Sequence, residues 1–259
     1  MYSVERKALI MSLLEKENVV SVVQLANELK ISKETARRDL RELERDGMLH
    51  RTHGGAVYEP QTSSISESPF NVREICHYPE KVAICKTAAE FVKDGDTIYV
   101  DNSSTTLNLL KYINPQYQIT IITNSIRFLL ESVSYRNANR TLISLGGIFR
   151  EKNYSLAGIL SLDNARSFRP NKAFISCRAI EANVLSDGSL YEIEVKRAFI
   201  ATSKETFVLA DHSKFKETGP FYLTDLSKVS HIITDDKIDE ESVRTLEQSG
   251  LSVTVAPAL

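Results

Sequence analysis

The chain has 259 residues, 42% of them hydrophobic, with 32 Lys and Arg against 34 Asp and Glu and a net charge of −2; this is enough for two domains with an ordinary core, and too balanced in charge to name a partner. No apolar run approaches the roughly 20 residues that span a bilayer, and the N-terminus lacks the apolar stretch of a signal peptide, so no membrane partner and a cytoplasmic location are expected. Cys76, Cys85 and Cys177 lack metal-binding spacing and the five histidines are dispersed, which fits a reducing compartment and predicts no disulfide scaffold, metal site or cofactor.

Residues 4–14 carry Ala8, Leu9, Ile10, Leu13 and Leu14 and predict a first helix. Ser21 caps a second helix through Val22, Leu25, Ala26 and Leu29; Lys30 and Ile31 turn, and Ser32 caps a third. In the third helix Ala36, Leu40 and Leu43 recur at i, i+4 and i+7 as a buried stripe, while Glu34, Arg37, Arg38 and Arg41 share an outward one. Residues 22–45 thus have the layout of a helix-turn-helix, whose second element braces and whose third enters the major groove. Two apolar runs about Gly54-Gly55, within residues 48–57, predict a β-hairpin whose tip follows the phosphate backbone. The candidate contacts to a double-stranded DNA operator are Ser32, Lys33, Thr35, Arg37, Arg38 and Arg41 on the helix, with Arg51, His53 and Gly54 on the hairpin. Residues 30–57 hold seven Lys and Arg against five Asp and Glu, so binding should be salt-sensitive, with specificity resting on a few base-edge contacts. A solvated helix face with i,i+4 pairs such as Arg38 with Glu42 would have the same composition.

These residues resemble the winged helix-turn-helix of the DeoR-type (deoxyribonucleoside-regulator-like) bacterial transcription regulators. The family's Arg at the start of helix one, with apolar residues at four-residue steps, is matched by Arg6, Ile10 and Leu14. Its Ser-x-x-Thr-apolar-Arg-basic-Asp-apolar run is matched by Ser32, Thr35, Ala36, Arg37, Arg38, Asp39 and Leu40, and its wing by residues 51–56.

Residues 58–69, with Pro60, Gln61, Thr62, four serines and Pro69, read as a linker between a DNA-binding domain at 1–57 and an effector-sensing domain at 70–259. Beyond it, helices predicted at 79–92, 105–112, 125–133, 158–168, 192–202 and 240–248 alternate with strands at 96–100, 119–122, 141–145, 172–176, 206–209, 231–234 and 251–255. Short apolar strands separated by helices imply an α/β fold with a mostly parallel sheet covered on both faces. Such sheets bind ligands at the C-terminal edges of their strands. There Asp101-Asn102-Ser103-Ser104-Thr105-Thr106 leads into a helix, offering hydroxyls and backbone N–H groups to an anion, although helix capping alone would use the same residues. Thr123-Asn124-Ser125, Gly146-Gly147, Asp211-His212-Ser213-Lys214 and the helix bearing Glu192, Glu194 and Lys196 end on the same side. Together they predict a site for a small, anionic, hydroxyl-rich molecule.

The resemblance extends through this half and implies a sugar-phosphate-isomerase-like domain that senses a phosphorylated sugar or related metabolite. The family's phosphate loop corresponds to Asp101, Ser103, Thr105 and Thr106; its Thr-Asn to Thr123 and Asn124; and its Gly-Gly to Gly146 and Gly147. Its Glu-x-Glu-x-Lys-Arg corresponds to Glu192, Glu194, Lys196 and Arg197, and its Asp-His-Ser-Lys-Phe to residues 211–215. Ser103 stands where the loop usually has Gly, and Ser176-Cys177-Arg178-Ala179 where a glycine-bearing segment is usual. Arg178 reads either as a fork for an anion or as half of a surface ion pair, and Cys177 as a packed residue. The expected function is a sequence-specific transcription repressor released or engaged by its effector, with no catalytic residues. It should act as a dimer or tetramer, because one winged helix contacts too few base pairs. Two alternatives stand beside it. One is an isomerase-type enzyme with a DNA-binding appendage, using carboxylates at Asp101, Glu192 and Asp211 and a lysine at Lys196 or Lys214 for proton transfer. The other is a constitutive DNA binder whose second domain only oligomerises.

Overall fold

The computed structural model describes residues 2–58, 68–135, 137–181, 183–215 and 217–259, which form two compact units, Met1–Tyr78 and Pro79–Leu259. Most of the predicted linker lies outside the described residues.

The first unit runs α1 (Ser3–Glu17), β1 (Val19–Ser21), α2 (Val22–Glu28), α3 (Lys33–Arg45), β2 (Leu49–Arg51), β3 (Gly55–Tyr58) and α4 (Phe70–Ile75). Its helix caps fall where the sequence puts them. Ser21 Oγ accepts from the Gln24 N–H at 3.0 Å and Ser32 Oγ from the Thr35 N–H at 3.1 Å, each satisfying a donor that a helix start leaves open. Ala36, Leu40 and Leu43 are buried with Ile10, Leu14 and Leu25 in one core. Asp39, also fully buried, ties α3 to α1: Arg6 Nη2 donates to its Oδ1 at 2.9 Å and Arg6 Nε to its Oδ2. The hydrogen bond to Asp39 holds the Arg6 guanidinium above its ordinary pKa.

The hairpin differs from expectation. Residues 52–54 make its turn, and Gly55 opens β3, the middle strand of an antiparallel sheet ordered β1-β3-β2. A Cβ at Gly55 would lie 1.9 Å from the Val20 carbonyl oxygen, so only glycine admits β1, a strand too short to announce itself by alternation. The domain boundary also moves. Val72 and Ile75 of α4 join the first unit's core, so residues 70–78 belong with the helix-turn-helix and do not open the second domain.

The second unit comprises α5 (Tyr78–Ala89), β4 (Thr97–Val100), α6 (Leu109–Tyr112), β5 (Ile119–Thr123), α7 (Ile126–Ser132), β6 (Arg140–Ser144), β7 (Ile148–Arg150), β8 (Ser155–Ala157) and α8 (Ile159–Arg166). It continues with β9 (Lys172–Ile175), β10 (Ala179–Glu181), β11 (Val184–Asp187), α9 (Leu190–Thr202), β12 (Glu205–Leu209), β13 (Phe221–Asp225), β14 (His231–Asp235), α10 (Glu240–Gln248) and β15 (Ser252–Ala256). Seven strands form a sheet in the order β15-β14-β12-β9-β4-β5-β6, every neighbouring pair parallel. Its central strands are buried, as sheets covered on both faces require. Tyr99 of β4 stacks on Phe199 of α9 with ring centroids 3.7 Å apart. From β4 the chain works outward through β5 to β6. It then returns to β9 on the other side of β4 and works outward again, so strand order reverses between β4 and β9. At such a reversal the loops leave in opposite directions and open a crevice.

The helix expected at 105–112 is a 3-10 turn at Thr106–Asn108 followed by the four-residue α6. Two small antiparallel sheets, β7-β8 and β10-β11-β13, occupy stretches to which sequence periodicity assigns no element.

Because among the described residues Asp39 makes no ion pair other than that with Arg6, Arg6→Met should destabilise the first unit by about 3–5 kcal/mol. Native-state hydrogen exchange should show faster opening of α1 and α3 with the seven-stranded sheet unchanged; equal protection in the variant would refute a bracing role for the pair.

Candidate functional site

The outer face of α3 carries Lys33, Glu34, Arg37, Arg38 and Arg41, all exposed. Ser32 and Thr35 hold the helix start, their hydroxyl oxygens 2.9 Å apart. Glu34 draws two of the cations together, 3.0 Å from Arg41 and 3.7 Å from Arg37. Glu42 pairs with Lys7 at 2.6 Å rather than with Arg38, and among the described residues Arg38 makes no ion pair. The solvated-face alternative therefore lacks its proposed Arg38–Glu42 pair. On the wing, His53 and Gly54 are exposed at the tip. Arg51 turns back to α3: its Nε donates to Glu44 Oε2 at 2.7 Å and its N–H to Oε1 at 3.0 Å, and these bonds lower the Glu44 pKa. Arg51 thus fixes the wing against α3.

In the second unit, the polar cluster where the chain leaves β4 and β9 is built around Asp101, which follows β4 directly. Its Oδ1 accepts from the Ser103 N–H at 3.0 Å and the Thr106 hydroxyl at 2.7 Å; its Oδ2 accepts from the Ser176 N–H at 2.9 Å and faces Lys196 Nζ at 3.1 Å. Lys196 of α9 also donates to Asp187 at 2.7 Å and to the Ser176 carbonyl at 2.7 Å. Burial opposes its charge, but Asp187 and Asp101 outweigh burial and hold its pKa above the ordinary lysine value.

One turn of α9 earlier, Glu192 centres a second cluster. It accepts from Arg150 Nη1 at 2.5 Å, Ser155 Oγ at 2.6 Å, Asn124 Nδ2 at 3.4 Å and Asn153 Nδ2 at 3.5 Å. Burial raises the Glu192 pKa, against the Ser155 hydrogen bond and the Arg150 charge. Asn124 also accepts from the Tyr99 hydroxyl at 2.9 Å, so Tyr99, Asn124 and Glu192 form one polar chain under the crevice. Thr123 is fully buried and accepts from the Ser125 N–H at 3.0 Å.

The structure therefore brings Asp101, Ser103, Thr106, Asn124, Glu192 and Lys196 into two adjacent clusters. Other expected site residues are held by contacts of their own. Gly146 and Gly147 follow β6 with positive φ and are held by α8, where the Ser161 hydroxyl donates to the Gly146 carbonyl and Asn164 Nδ2 to the Leu145 carbonyl at 2.8 Å. Asp211 follows β12 and accepts from the Ser213 hydroxyl at 2.5 Å, and the Lys214 N–H donates to the Asp211 carbonyl at 3.0 Å. The 101–106 loop also departs from an open anion cradle on a helix start. Thr105 is buried, its carbonyl accepting from the Cys85 thiol at 2.8 Å, and Ser103 Oγ accepts from the Thr106 N–H at 3.1 Å.

Sequence reasoning missed Lys81 of α5, which is buried and donates to Ser104 Oγ at 3.2 Å. It also missed Arg150, Asn153, Ser155, Ser176 and Asp187. Of these only Ser176 had a signal, as part of a departure from the family pattern. Arg178 forms an ion pair with Glu217 at 3.0 Å, and Cys177 is a packed thiol pushed by burial to a pKa of about 12.

Comparison with known proteins agrees with both halves. Residues 6–62 match the DeoR-like helix-turn-helix domain, and residues 76–236 match the DeoR C terminal sensor domain. The chain belongs to the DeoR family. YulB of Bacillus subtilis (strain 168), an uncharacterized HTH-type transcriptional regulator, is 36% identical over 254 residues, covering 98% of this chain and 96% of YulB. The HTH-type transcriptional regulator GolR of Listeria innocua is 32% identical over 257 residues, 99% of this chain and 100% of GolR. The transcriptional repressor AccR of Agrobacterium fabrum is 32% identical over 233 residues, 89% of each chain. Among solved structures, ribose 5-phosphate isomerase A from Methanocaldococcus jannaschii aligns over 52% of this chain and 53% of that one, at 18% identity and a TM-score of 0.39. As a DeoR-family member the protein is a DNA-binding transcription regulator with a sensor domain, and no helix among its described residues is long and apolar enough to cross a membrane.

The Glu192 environment sets a pH dependence. A carboxyl whose pKa is raised on folding makes the folded state less stable as pH climbs from the ordinary Glu value, about 4.3, through the raised one. Glu192→Gln keeps an acceptor for Arg150 without the charge, so its stability relative to wild type should improve over that climb. Urea unfolding across the range would show this as a rising difference; a flat difference would mean that Glu192 titrates normally.

Proposed function

We propose that this regulator is a cytoplasmic repressor that binds its operator through α3 and the wing, at least two chains per operator, and lets go when a phosphorylated sugar or similar small, hydroxyl-rich anion fills the β4/β9 crevice. The observation that carries the DNA-binding half is the braced reading helix: Asp39 is locked inward to Arg6 while Arg37 and Arg38, the two residues before it, stand exposed. A helix held this way can present a guanidinium fork to a base edge.

For the effector half, the support is the collection of polar groups at the sheet's reversal point. Lys81 beside Ser104 supplies a cation next to the 103–106 loop, and Asn124 with Glu192 supplies partners for hydroxyls. The same geometry argues against proton-transfer chemistry. Asp101 has both oxygens engaged and Lys196 is closed between two carboxylates, so neither is poised as a free acid or base. By linkage, an effector that weakens DNA binding is itself bound more weakly when DNA is present.

On a duplex selected from random sequences by the wild-type protein, Arg37→Ala or Arg38→Ala should weaken specific binding by about 1–3 kcal/mol, a factor of roughly five to 150, and relax the preference at one base pair. Fluorescence anisotropy at physiological salt measures this; unchanged affinity in both variants would mean that another element reads the DNA. The effector is tested by thermal shift against pentose and hexose phosphates, where binding raises the melting temperature and reduces operator affinity. Lys81→Met should abolish both responses to the phosphate while leaving operator binding intact. A full response in that variant would remove Lys81 from the site.

A further inference from the structure

Beside the Glu192 cluster the fold leaves an apolar face uncovered. Ile148 and Phe149 of β7, Ile159 and Leu160 at the start of α8, and Leu190 and Tyr191 at the start of α9 are 51–70% exposed. Ile148 and Arg150, on one side of β7, adjoin the starts of α8 and α9, and Phe149 lies on the strand's other side. A Cβ at Gly158, the residue before α8, would meet the Ile148 side chain at 3.3 Å, and the Arg150 guanidinium lies over the Tyr191 ring at 4.6 Å. Six large side chains at this exposure present on the order of 600 Å², matching the largest apolar patches of monomers and approaching the roughly 800 Å² per partner of a standard interface. Arg150, within the face, is engaged by Glu192 and by Ser189 Oγ at 2.8 Å, so its charge is already answered.

The face also has an open strand edge. β7 pairs with β8 on one side, and among the described residues no strand lies on its other side. The backbone groups of such an edge are satisfied by another strand, and two antiparallel copies of one edge satisfy each other about a two-fold axis. An apolar, charge-poor surface of nearly interface size, with a self-complementary edge, fits a second copy of this chain better than DNA or a charged partner.

We propose that this face joins two copies of the chain, β7 against β7, with the two-fold axis at Phe149. Arg150 would then lie both in the joined strand and on Glu192, connecting the crevice to the interface through one side chain. The proposal rests on the reading above only in that an operator calls for two reading helices; mass in solution tests the face without DNA.

Light scattering of the full chain at micromolar concentration should give an even multiple of the chain mass. Ile148→Glu and Phe149→Lys should each halve it with unchanged circular dichroism, and Val255→Glu, on β15 at the far edge of the sheet, should leave it alone. A monomeric wild type, or a mass that survives both β7 substitutions, overturns the proposal. Should the charged variants misfold, Phe149→Cys in a Cys76→Ser background should oxidise to a disulfide-linked dimer, and the absence of that product counts against the interface equally. Operator binding separates the two claims. A dimer that binds no selected duplex leaves the face standing and removes the regulator reading, whereas a monomer that binds the operator at full affinity overturns the face alone.

Discussion

One buried ammonium ties together the two segments that leave the seven-stranded sheet at the point where its strand order reverses. β4 and β9 are neighbours from which the chain departs in opposite directions, and Lys196 bonds what leaves each of them: Asp101 after β4 and the Ser176 carbonyl after β9, with Asp187 as a second counter-charge. At the other end of the same two strands Lys172, the first residue of β9, pairs with buried Asp96 at 2.6 Å. Each charge is costly to desolvate alone, so each holds its partner strongly in place while adding little net stability over an apolar pair. The strand pair is thus pinned at both ends by groups that cannot be removed singly.

The first unit solves a different problem with the same device. It spans only Met1–Tyr78 and its sheet has strands of three or four residues, so the hydrophobic core is small. Arg6 and Asp39 set the rotation of α3 about its axis, which apolar contacts, being non-directional, define less sharply. Gly55 completes the arrangement by letting β1 approach β3, and Arg51 with Glu44 secures the hairpin to α3.

Much of this was legible in the sequence because it is local. The caps at Ser21 and Ser32, the stripe of Ala36, Leu40 and Leu43, and the buried parallel strands each follow from spacing within a few residues. The family resemblance then supplied Arg6 and Asp39 as pattern positions without their reason, which is a contact 33 residues apart in sequence. What stayed hidden was non-local or very short. β1, β7, β8 and β10 have three residues each, too few for a period. Ser103 and Thr106 look available to an anion because the sequence does not reveal that Asp101 occupies them, nor that α5 brings Lys81 and Cys85 to the loop. Residues 70–78 follow a Ser-rich, Pro-flanked stretch and so seem to begin a new domain, yet Val72 and Ile75 fill the earlier core.

The alternation at residues 37–39 has a consequence for how such a protein diversifies. Asp39 carries the structural duty of that turn of helix, and Arg38 has no ion-pair partner in its own chain among the described residues. Replacing Arg38 therefore removes no internal bond, and surface changes of that kind usually shift stability by less than about 0.5 kcal/mol. With α3 as the proposed reading helix, the residues that choose a DNA sequence can be rewritten while the residue that holds the helix stays fixed. On that proposal, a lineage built on this scaffold can acquire new operators by duplication and a few exposed substitutions, without passing through an unfolded ancestor.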